Sequence, residues 1–343
     1  MSGYRVAIVG ATGLVGGALL DVLERRSFPA REIVPFASER SAGKELRGMT
    51  VALLSAETIA GFDVAIFSAG ATISREWAPR FAATGAVVVD NSSAWRTDPA
   101  IPLVVAEANP EALDAHKGIV ANPNCSTMQL MVALAPIKAA AGIERLIVST
   151  YQSVSGTGKA AIDELEQQTH AVLHDLPPPP PVVYPHTIAF NVLGGAGNFK
   201  EGDDYTDEER KMMFETRKIL GDESIGISVT CARVPVINSH SESVNVQTRD
   251  ELSPEACREL LSSAPGVEVV DDPAHDGYPT ALAAAGRDEV LVGRIRRDPS
   301  HPRALNLWVV SDNLLKGAAT NAVQLAELLV ERGLLRSGAS AAA

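Results

Sequence analysis

The sequence predicts an α/β protein of two units: a parallel sheet with helices on both faces, then an α+β unit. Three features carry that expectation. A strand-length apolar run, Arg5–Val9, passes straight into the glycine turn Gly10-Ala11-Thr12-Gly13-Leu14-Val15-Gly16, and then into a helical pattern at Ala18, Leu19, Val22 and Leu23. Short apolar runs then alternate with helix-like pieces as far as Cys125, as they do where a parallel sheet is wound with helices. Beyond Cys125 the strand-like segments read as a different, antiparallel or mixed, sheet. A chain of 343 residues also exceeds the usual single core.

Taken in order, strands are expected at Glu32–Ala37, Val64–Ser68, Ala86–Asp90 and Leu103–Val105, with a helix over Ser74–Thr84. The segment Asn91-Ser92-Ser93-Ala94-Trp95-Arg96 follows a strand at its carboxyl end, where ligands of open parallel sheets gather. Another apolar run ends in Ala121-Asn122-Pro123-Asn124-Cys125-Ser126-Thr127, and an uncharged helix-like run, Met128–Ile137, begins. Strands follow at Arg145–Val154, Ile225–Pro235, Ser243–Thr248 and Ala304–Ser311, with charged helices at Lys159–His174 and Thr206–Leu220. Pro177–Pro181 reads as a stiff extended connector and Asn313–Arg332 as a helix. The expected domains are 1–127, completed by a C-terminal helix over 313–335, and 128–312, with a disordered tail at 336–343.

Thirty Lys and Arg against forty-two Asp and Glu leave a formal charge of −12, which repels phosphate backbones and anionic lipid. Nucleic acid and membrane are therefore not expected partners, and an anionic ligand needs a local cluster of Arg, Lys and helix N-termini. The run Gly118–Ile137 is uncharged but too polar to span a bilayer, and the N-terminus lacks a signal-peptide pattern. Cys125, Cys231 and Cys257 cannot all pair and show neither disulfide nor zinc spacing, which fits a reducing cytoplasm. His170 and His174 have helical metal-ligand spacing without a third ligand nearby, so they read as a solvated helix face, and no metal is expected.

In the turn, Gly10, Gly13 and Gly16 let the backbone bend tightly and approach a pyrophosphate, while the helix start supplies N–H donors. That is a Rossmann-type dinucleotide loop, in the spacing G-x-x-G-x-x-G. The second strand ends at Ser38-Glu39-Arg40-Ser41, where Arg40 and Ser41 suit a 2′-phosphate and hence NADP, with Glu39 as the competing signal for a ribose hydroxyl. Short-chain reductases share such loops but need Tyr-x-x-x-Lys, and no tyrosine here has lysine four residues on.

Cys125 stands where a strand-like run gives way to a helix, and a helix start lowers a thiol's pKa and can hold an adjacent oxyanion. Its bland reading is a small buried hydrophobe. A nucleophilic thiol beside a nicotinamide points to oxidation or reduction of a carbonyl through a thioester. Five groups elsewhere fit that chemistry. Gln152, in the loop Tyr151–Gly158, can orient an acyl oxygen. Arg233 suits a carboxylate, and His240, seven residues on, is the best acid or base. Arg96 and Lys218 are candidates for a phosphate site, although the spacing of Glu215 and Lys218 alone reads as a surface ion pair.

Together these segments resemble the aspartate-β-semialdehyde dehydrogenase family over nearly the whole chain. The matching stretches are residues 10–16, 91–96, Pro-Asn-Cys-Ser-Thr at 123–127, 151–158, Arg-Val-Pro-Val at 233–236, His-Ser-Glu at 240–242 and Asp-Asn-Leu-Leu-Lys-Gly-Ala-Ala at 312–319. The resemblance implies a fold similar to glyceraldehyde-3-phosphate dehydrogenase and a homodimer or dimer of dimers formed through the second domain. It also implies NADPH-dependent reductive dephosphorylation of L-4-aspartyl phosphate to L-aspartate 4-semialdehyde, toward lysine, threonine, methionine and isoleucine. By the same resemblance, Cys125 forms the thioester, His240 accepts the proton, and Gln152, Glu215 and Arg233 bind substrate. Arg96, Asn124 and Lys218 lie near phosphate, and Thr12, Gly13, Leu14, Val15, Arg40, Ser41, Ser155, Gly156 and Asn313 contact the cofactor.

Two stretches depart from the family pattern: Ser239 stands where glycine is usual, and 193–204 differs throughout. The alternatives are N-acetyl-γ-glutamyl-phosphate reductase, with the same chemistry on a longer acylated substrate, and a non-catalytic NADP-binding paralogue. Retention of Cys125, Gln152, Arg233 and His240 together speaks against the paralogue.

Overall fold

A computed structural model describes residues 3–335. The expected tail at 336–343 lies outside the described residues. The chain forms two compact units: one takes the chain up to Asn124 and resumes at Ala318, and the other runs Cys125–Gly317.

The first unit opens with β1 (Tyr4–Val9), α1 (Leu14–Arg25) and β2 (Ala30–Ala37). It continues through the short strands β3 (Glu45–Leu46), β4 (Met49–Thr50) and β5 (Ala52–Leu53). Then come β6 (Val64–Phe67), α2 (Ala71–Ala83), β7 (Val87–Asp90) and β8 (Ile119–Ala121). Six strands form one parallel sheet in the order β5-β2-β1-β6-β7-β8. This is the doubly wound order, which reverses beside β1, so a crevice opens at the carboxyl end of that strand. The central strands are buried on both faces, which is why Val6–Val9, Val64–Phe67 and Val87–Val89 read as unbroken apolar runs.

One expected strand is wrong. Leu103–Val105 makes only a bridge, Leu103 to Ala121, and the sixth strand is Ile119–Ala121. Both runs are apolar and buried, and composition alone does not tell which one pairs with β7.

The second unit comprises α3 (Cys125–Ala141), β9 (Ile143–Gln152), α4 (Lys159–Leu173), α5 (Asp207–Leu220), β10 (Gly226–Arg233), β11 (His240–Thr248) and α6 (Pro254–Ser262). It ends with β12 (Val267–Val269), α7 (Ala281–Ala284), β13 (Val290–Arg297) and β14 (Ala304–Ser311). Its six-stranded sheet, β10-β9-β11-β14-β13-β12, is mixed: the two outer pairs are parallel and the inner ones antiparallel. Two of these strands, Val267–Val269 and Val290–Arg297, have no counterpart in the sequence reading. Arginine-rich Val290–Arg297 breaks its register between Gly293 and Arg296 and so lacks clean alternation. α3 is apolar on almost every side because it packs against α5, α6 and the inner face of the sheet.

The chain returns to the first unit as α8 (Asn321–Glu331). The expected helix over 313–332 is not continuous. Asp312 accepts from the Leu314 and Leu315 amides at 2.9 and 3.1 Å, and a turn of π-helix, Leu315–Thr320, precedes α8.

Candidate active site

The nucleotide loop belongs to the first unit. Gly10 has φ +89°, and a Cβ there would lie 2.5 Å from the Ser68 carbonyl oxygen; one on Gly16 would lie 2.3 Å from the Gly10 carbonyl oxygen. Both positions therefore exclude a side chain. Gly13 caps α1 without any side-chain bond to the free amides, and the first turn carries no acid, so the helix start stays open to an anion. Thr12 and Gly13 are exposed, and Leu14 and Val15 are half-buried. Arg40 is exposed and Ser41 half-buried just after β2, beside β1. These residues fit a dinucleotide, with the helix start at its pyrophosphate.

Arg96 is buried in the same unit, and its guanidinium donates to the Asn91 carbonyl at 2.7 Å. Asp90, fully buried, fixes this turn: it accepts from Ser92 N–H at 2.8 Å and from the Ser74 hydroxyl. Burial raises its carboxyl pKa, with the Ser74 and Ser92 bonds opposing. Asn124, also buried, is the last residue of this unit's first stretch.

The remaining site residues lie in the second unit. Cys125 is the first residue of α3 and half-exposed, so it is not the small core hydrophobe of the bland reading. Its Sγ stands 3.2 Å from His240 Nε2. His240 opens β11 and has no exposed surface. Three adjacent strands bring its neighbours alongside: Arg233 of β10 pairs with Gln152 of β9, and Tyr151 of β9 with Ser241 of β11. Burial, and behind it the Arg233 charge, hold the imidazole well below its ordinary pKa, with a backbone bond at Ser239 opposing.

Arg233 is buried, and its guanidinium donates to the Ser153 carbonyl at 2.7 Å. Its Nε has no partner, and no carboxylate pairs with it among the described residues. A buried cation left without an anion is costly unless a ligand supplies one. Gln152 donates to Ser126 Oγ at 2.8 Å and to Glu208 Oε1 at 3.2 Å, which holds it against the start of α3. Glu215 is buried on α5, not at the surface as its spacing from Lys218 suggested; Lys218, one turn on, is half-buried. The apolar face of α5 turns Glu215 inward, which an i, i+3 spacing cannot reveal.

Asn313 is buried rather than open to solvent, and its Oδ1 accepts from Ser153 Oγ, Ser155 Oγ and Ser239 N–H at 3.0, 3.2 and 2.9 Å. Ser155 is buried beside it, and a Cβ on Gly156 would sit 3.3 Å from the His240 ring. His170 and His174 are exposed, with ring centroids 4.4 Å apart.

Two residues escaped the sequence reading. Ser153 binds His240 through its amide and Arg233 through its carbonyl, and backbone groups leave no mark in sequence. Gly317 lies in the π-turn, and a Cβ there would fall 2.8 Å from Cys125 Cβ. A glycine in a helical run was its only signal.

A parallel-sheet dinucleotide unit and a thiol facing a buried imidazole define the class: a thiol-dependent nicotinamide dehydrogenase. Residues 5–116 match the semialdehyde dehydrogenase NAD-binding domain, and residues 134–316 match the semialdehyde dehydrogenase dimerisation domain. An aspartate-semialdehyde dehydrogenase of Aquifex aeolicus is 56% identical over 340 residues, covering 97% of this chain and 100% of that protein. The crystal structure of Vibrio cholerae aspartate semialdehyde dehydrogenase II complexed with ASA superimposes with a TM-score of 0.92 at 48% identity, over 96% of this chain and 99% of that one. The Candida albicans enzyme of the same name, solved with NADP, gives 0.75 at 25% identity over 97% and 100%. The chain belongs to the aspartate-semialdehyde dehydrogenase family. The acetylglutamyl-phosphate reductase reading draws no support from these relatives. Among the described residues, no helix is long and apolar enough to cross a membrane.

Proposed function

We propose that the protein reduces L-4-aspartyl phosphate to L-aspartate 4-semialdehyde with NADPH, releasing inorganic phosphate. The observation that carries this reading is the 3.2 Å contact between Cys125 Sγ and His240 Nε2. The Cys125 thiolate attacks the acyl carbon, the bond to phosphate breaks, and a thioester forms. Arg233 receives the substrate carboxylate, which supplies the anion its buried guanidinium lacks. Glu215 offers the charge that an ammonium group needs. Gln152, held by Ser126 and Glu208, orients the acyl group. Arg96, Asn124 and Lys218 hold the phosphate, and His240 is the acid–base group.

NADPH, when bound, supplies the hydride. The first-unit loop from Gly10 to Val15 receives its pyrophosphate, Arg40 and Ser41 its 2′-phosphate, and Ser155, Gly156 and Asn313 its nicotinamide half. Buried Asn313 acts there by positioning Ser153 and Ser155.

The protein is read as a cytoplasmic homodimer, or a dimer of dimers. The second sheet turns His240, Glu242 and Val244 inward and leaves Ile147, Ser243 and Tyr151 outward, with the Tyr151 and Trp308 rings tilted against each other, centroids 5.4 Å apart. A sheet face carrying exposed aromatic and aliphatic groups suits a second copy.

The test is phosphate-dependent reduction of NADP by aspartate semialdehyde. Cys125→Ala should abolish it, and mass spectrometry of the wild type should place a trapped acyl group on Cys125. Wild-type turnover by the Ala variant overturns the mechanism, and equal kcat/KM with NAD and NADP removes the role of Arg40.

A further inference from the structure

The five-proline run, which the chemistry above does not use, leads to Tyr184 beside Arg233. Pro177–Pro181 carry no N–H, so the first amides after them are those of Val182 and Val183. Both donate at 2.7 Å to one carboxylate oxygen, Oε2 of Glu164, which is buried on α4. One turn further along α4, buried Gln168 accepts from the Ile188 and Ala189 amides at 2.9 and 3.3 Å. α4 therefore fixes the chain on either side of residue 184, and with it the direction of the Tyr184 side chain.

Tyr184 is half-buried against the apolar cluster that includes Val154, Leu165 and Ile188. The Arg233 guanidinium lies over its ring, with Cζ 5.8 Å from the ring centroid, and its hydroxyl donates to Thr157 Oγ1 at 3.0 Å. Thr157 adjoins Gly156, where a Cβ would stand 3.3 Å from the His240 ring and 3.6 Å from Arg233 Nη1. One side chain thus meets both the cation and the turn beside it. Burial lifts the phenol above its ordinary pKa, with the Arg233 charge and the Thr157 bond opposing, so the ring stays neutral at working pH.

Arg233 has use for such a neighbour. Its Nη1 donates to the Ser153 carbonyl at 2.7 Å and its Nε is unpartnered, so one side-chain hydrogen bond holds the fork. Around a single bond the guanidinium can turn, whereas a bidentate grip on a carboxylate needs its plane fixed. An aromatic face against the cation supplies that restraint.

We propose that Tyr184, seated by Glu164, is a positioning residue that sets the plane of the Arg233 guanidinium and thereby the affinity for the substrate carboxylate.

This role rests on the aspartyl-phosphate reading, in which Arg233 receives that carboxylate. It bears on binding and not on thioester chemistry, so it belongs in KM. Tyr184→Leu removes the ring face and keeps an apolar filler; it should raise KM for aspartate semialdehyde about 10-fold, with kcat and the KM values for phosphate and NADP within about twofold. Tyr184→Phe keeps the face and should stay within about threefold of wild type. Glu164→Ala leaves the ring but frees the Val182 and Val183 amides, and should show the same split as Tyr184→Leu. In an Arg233→Leu background, Tyr184→Leu should cost nothing further, because the group it positions is gone. Where Arg233→Leu raises KM, additive losses or a Tyr184→Leu enzyme with wild-type KM overturn the role of Tyr184. An Arg233→Leu enzyme with unchanged KM instead overturns the substrate reading. The positioning role is then decided in the resting ¹⁵N-labelled enzyme, from the Arg233 Nε–H signal, identified by its loss in Arg233→Leu. That proton should exchange with water about 10-fold faster in Tyr184→Leu than in wild type, and an equal rate overturns the role.

Discussion

Ser239 immediately precedes His240 in a left-handed backbone conformation, φ +74°, that favours glycine. For a residue with a Cβ this conformation costs about 1–2 kcal/mol. Its hydroxyl adds to the cost: Ser239 is 1% exposed and Oγ has no partner, a loss of about 1 kcal/mol or more. Replacing it with glycine removes both penalties and gives back about 0.5–1 kcal/mol through the freer unfolded chain. Ser239→Gly should therefore stabilise the protein by about 1–2 kcal/mol, raising Tm by about 1–3 °C. The bond from the Ser239 amide to Asn313 is retained, so kcat should hold. Ser239→Ala is the control, because it removes the hydroxyl and keeps the strained φ, and it should gain about 1 kcal/mol, less than the Gly variant. Calorimetry of the three proteins decides: equal Tm values for the Gly and Ala variants would refute backbone strain at this position, and a Gly variant below wild type would refute both contributions.

Three further outcomes are expected. Arg233→Leu removes the buried cation that awaits a carboxylate and should lower kcat/KM for aspartate semialdehyde about 10²-fold, while iodoacetamide still labels Cys125 at the wild-type rate. That labelling should be confined to Cys125, since burial pushes the Cys231 thiol far up and the Cys257 thiol up to about 12. Gly317→Ala places a methyl 2.8 Å from Cys125 Cβ, which must move, and should cost about 10-fold or more in kcat with the thiol titre unchanged. The third concerns pH. Burial raises the Glu242 carboxyl well above its ordinary range, so the native state keeps a proton that the unfolded chain loses near pH 4.3 or so. Its contribution is complete below that pH and is lost as pH rises through the native value; Glu242→Gln should match wild type in melting at about pH 4.5 and exceed it above neutrality. His240 runs the other way: its depressed pKa makes stability fall as pH drops below about 6.5. A Glu242→Gln advantage that does not vary with pH would show that the buried carboxyl is not the titrating group.

Local sequence was enough to place β1, the glycine loop and α1, because the loop's chemistry is contiguous and each glycine meets a steric demand of its own turn. Cys125 at a helix start was legible for the same reason: a strand-like run, a polar turn and an apolar helix lie in adjacent residues. The site around it was legible only as parts. Gln152, Arg233 and His240 stand out by residue type, yet nothing in their spacing says that three neighbouring strands bring them to one end of a sheet. Glu215 looked like surface charge until packing turned it inward.

What the sequence by itself determined is the set of reactive groups and the alternation that winds the first sheet, since both follow from residue chemistry and short-range periodicity. What only the tertiary structure decided is where those groups meet and in what state. Ile119–Ala121 pairs with β7 in place of Leu103–Val105, Gly317 yields room to Cys125, and the amide of Ser153 faces His240 Nδ1. Strand pairing, close approach and backbone hydrogen bonds join residues far apart in the chain through atoms that every residue carries, so no side-chain pattern records them.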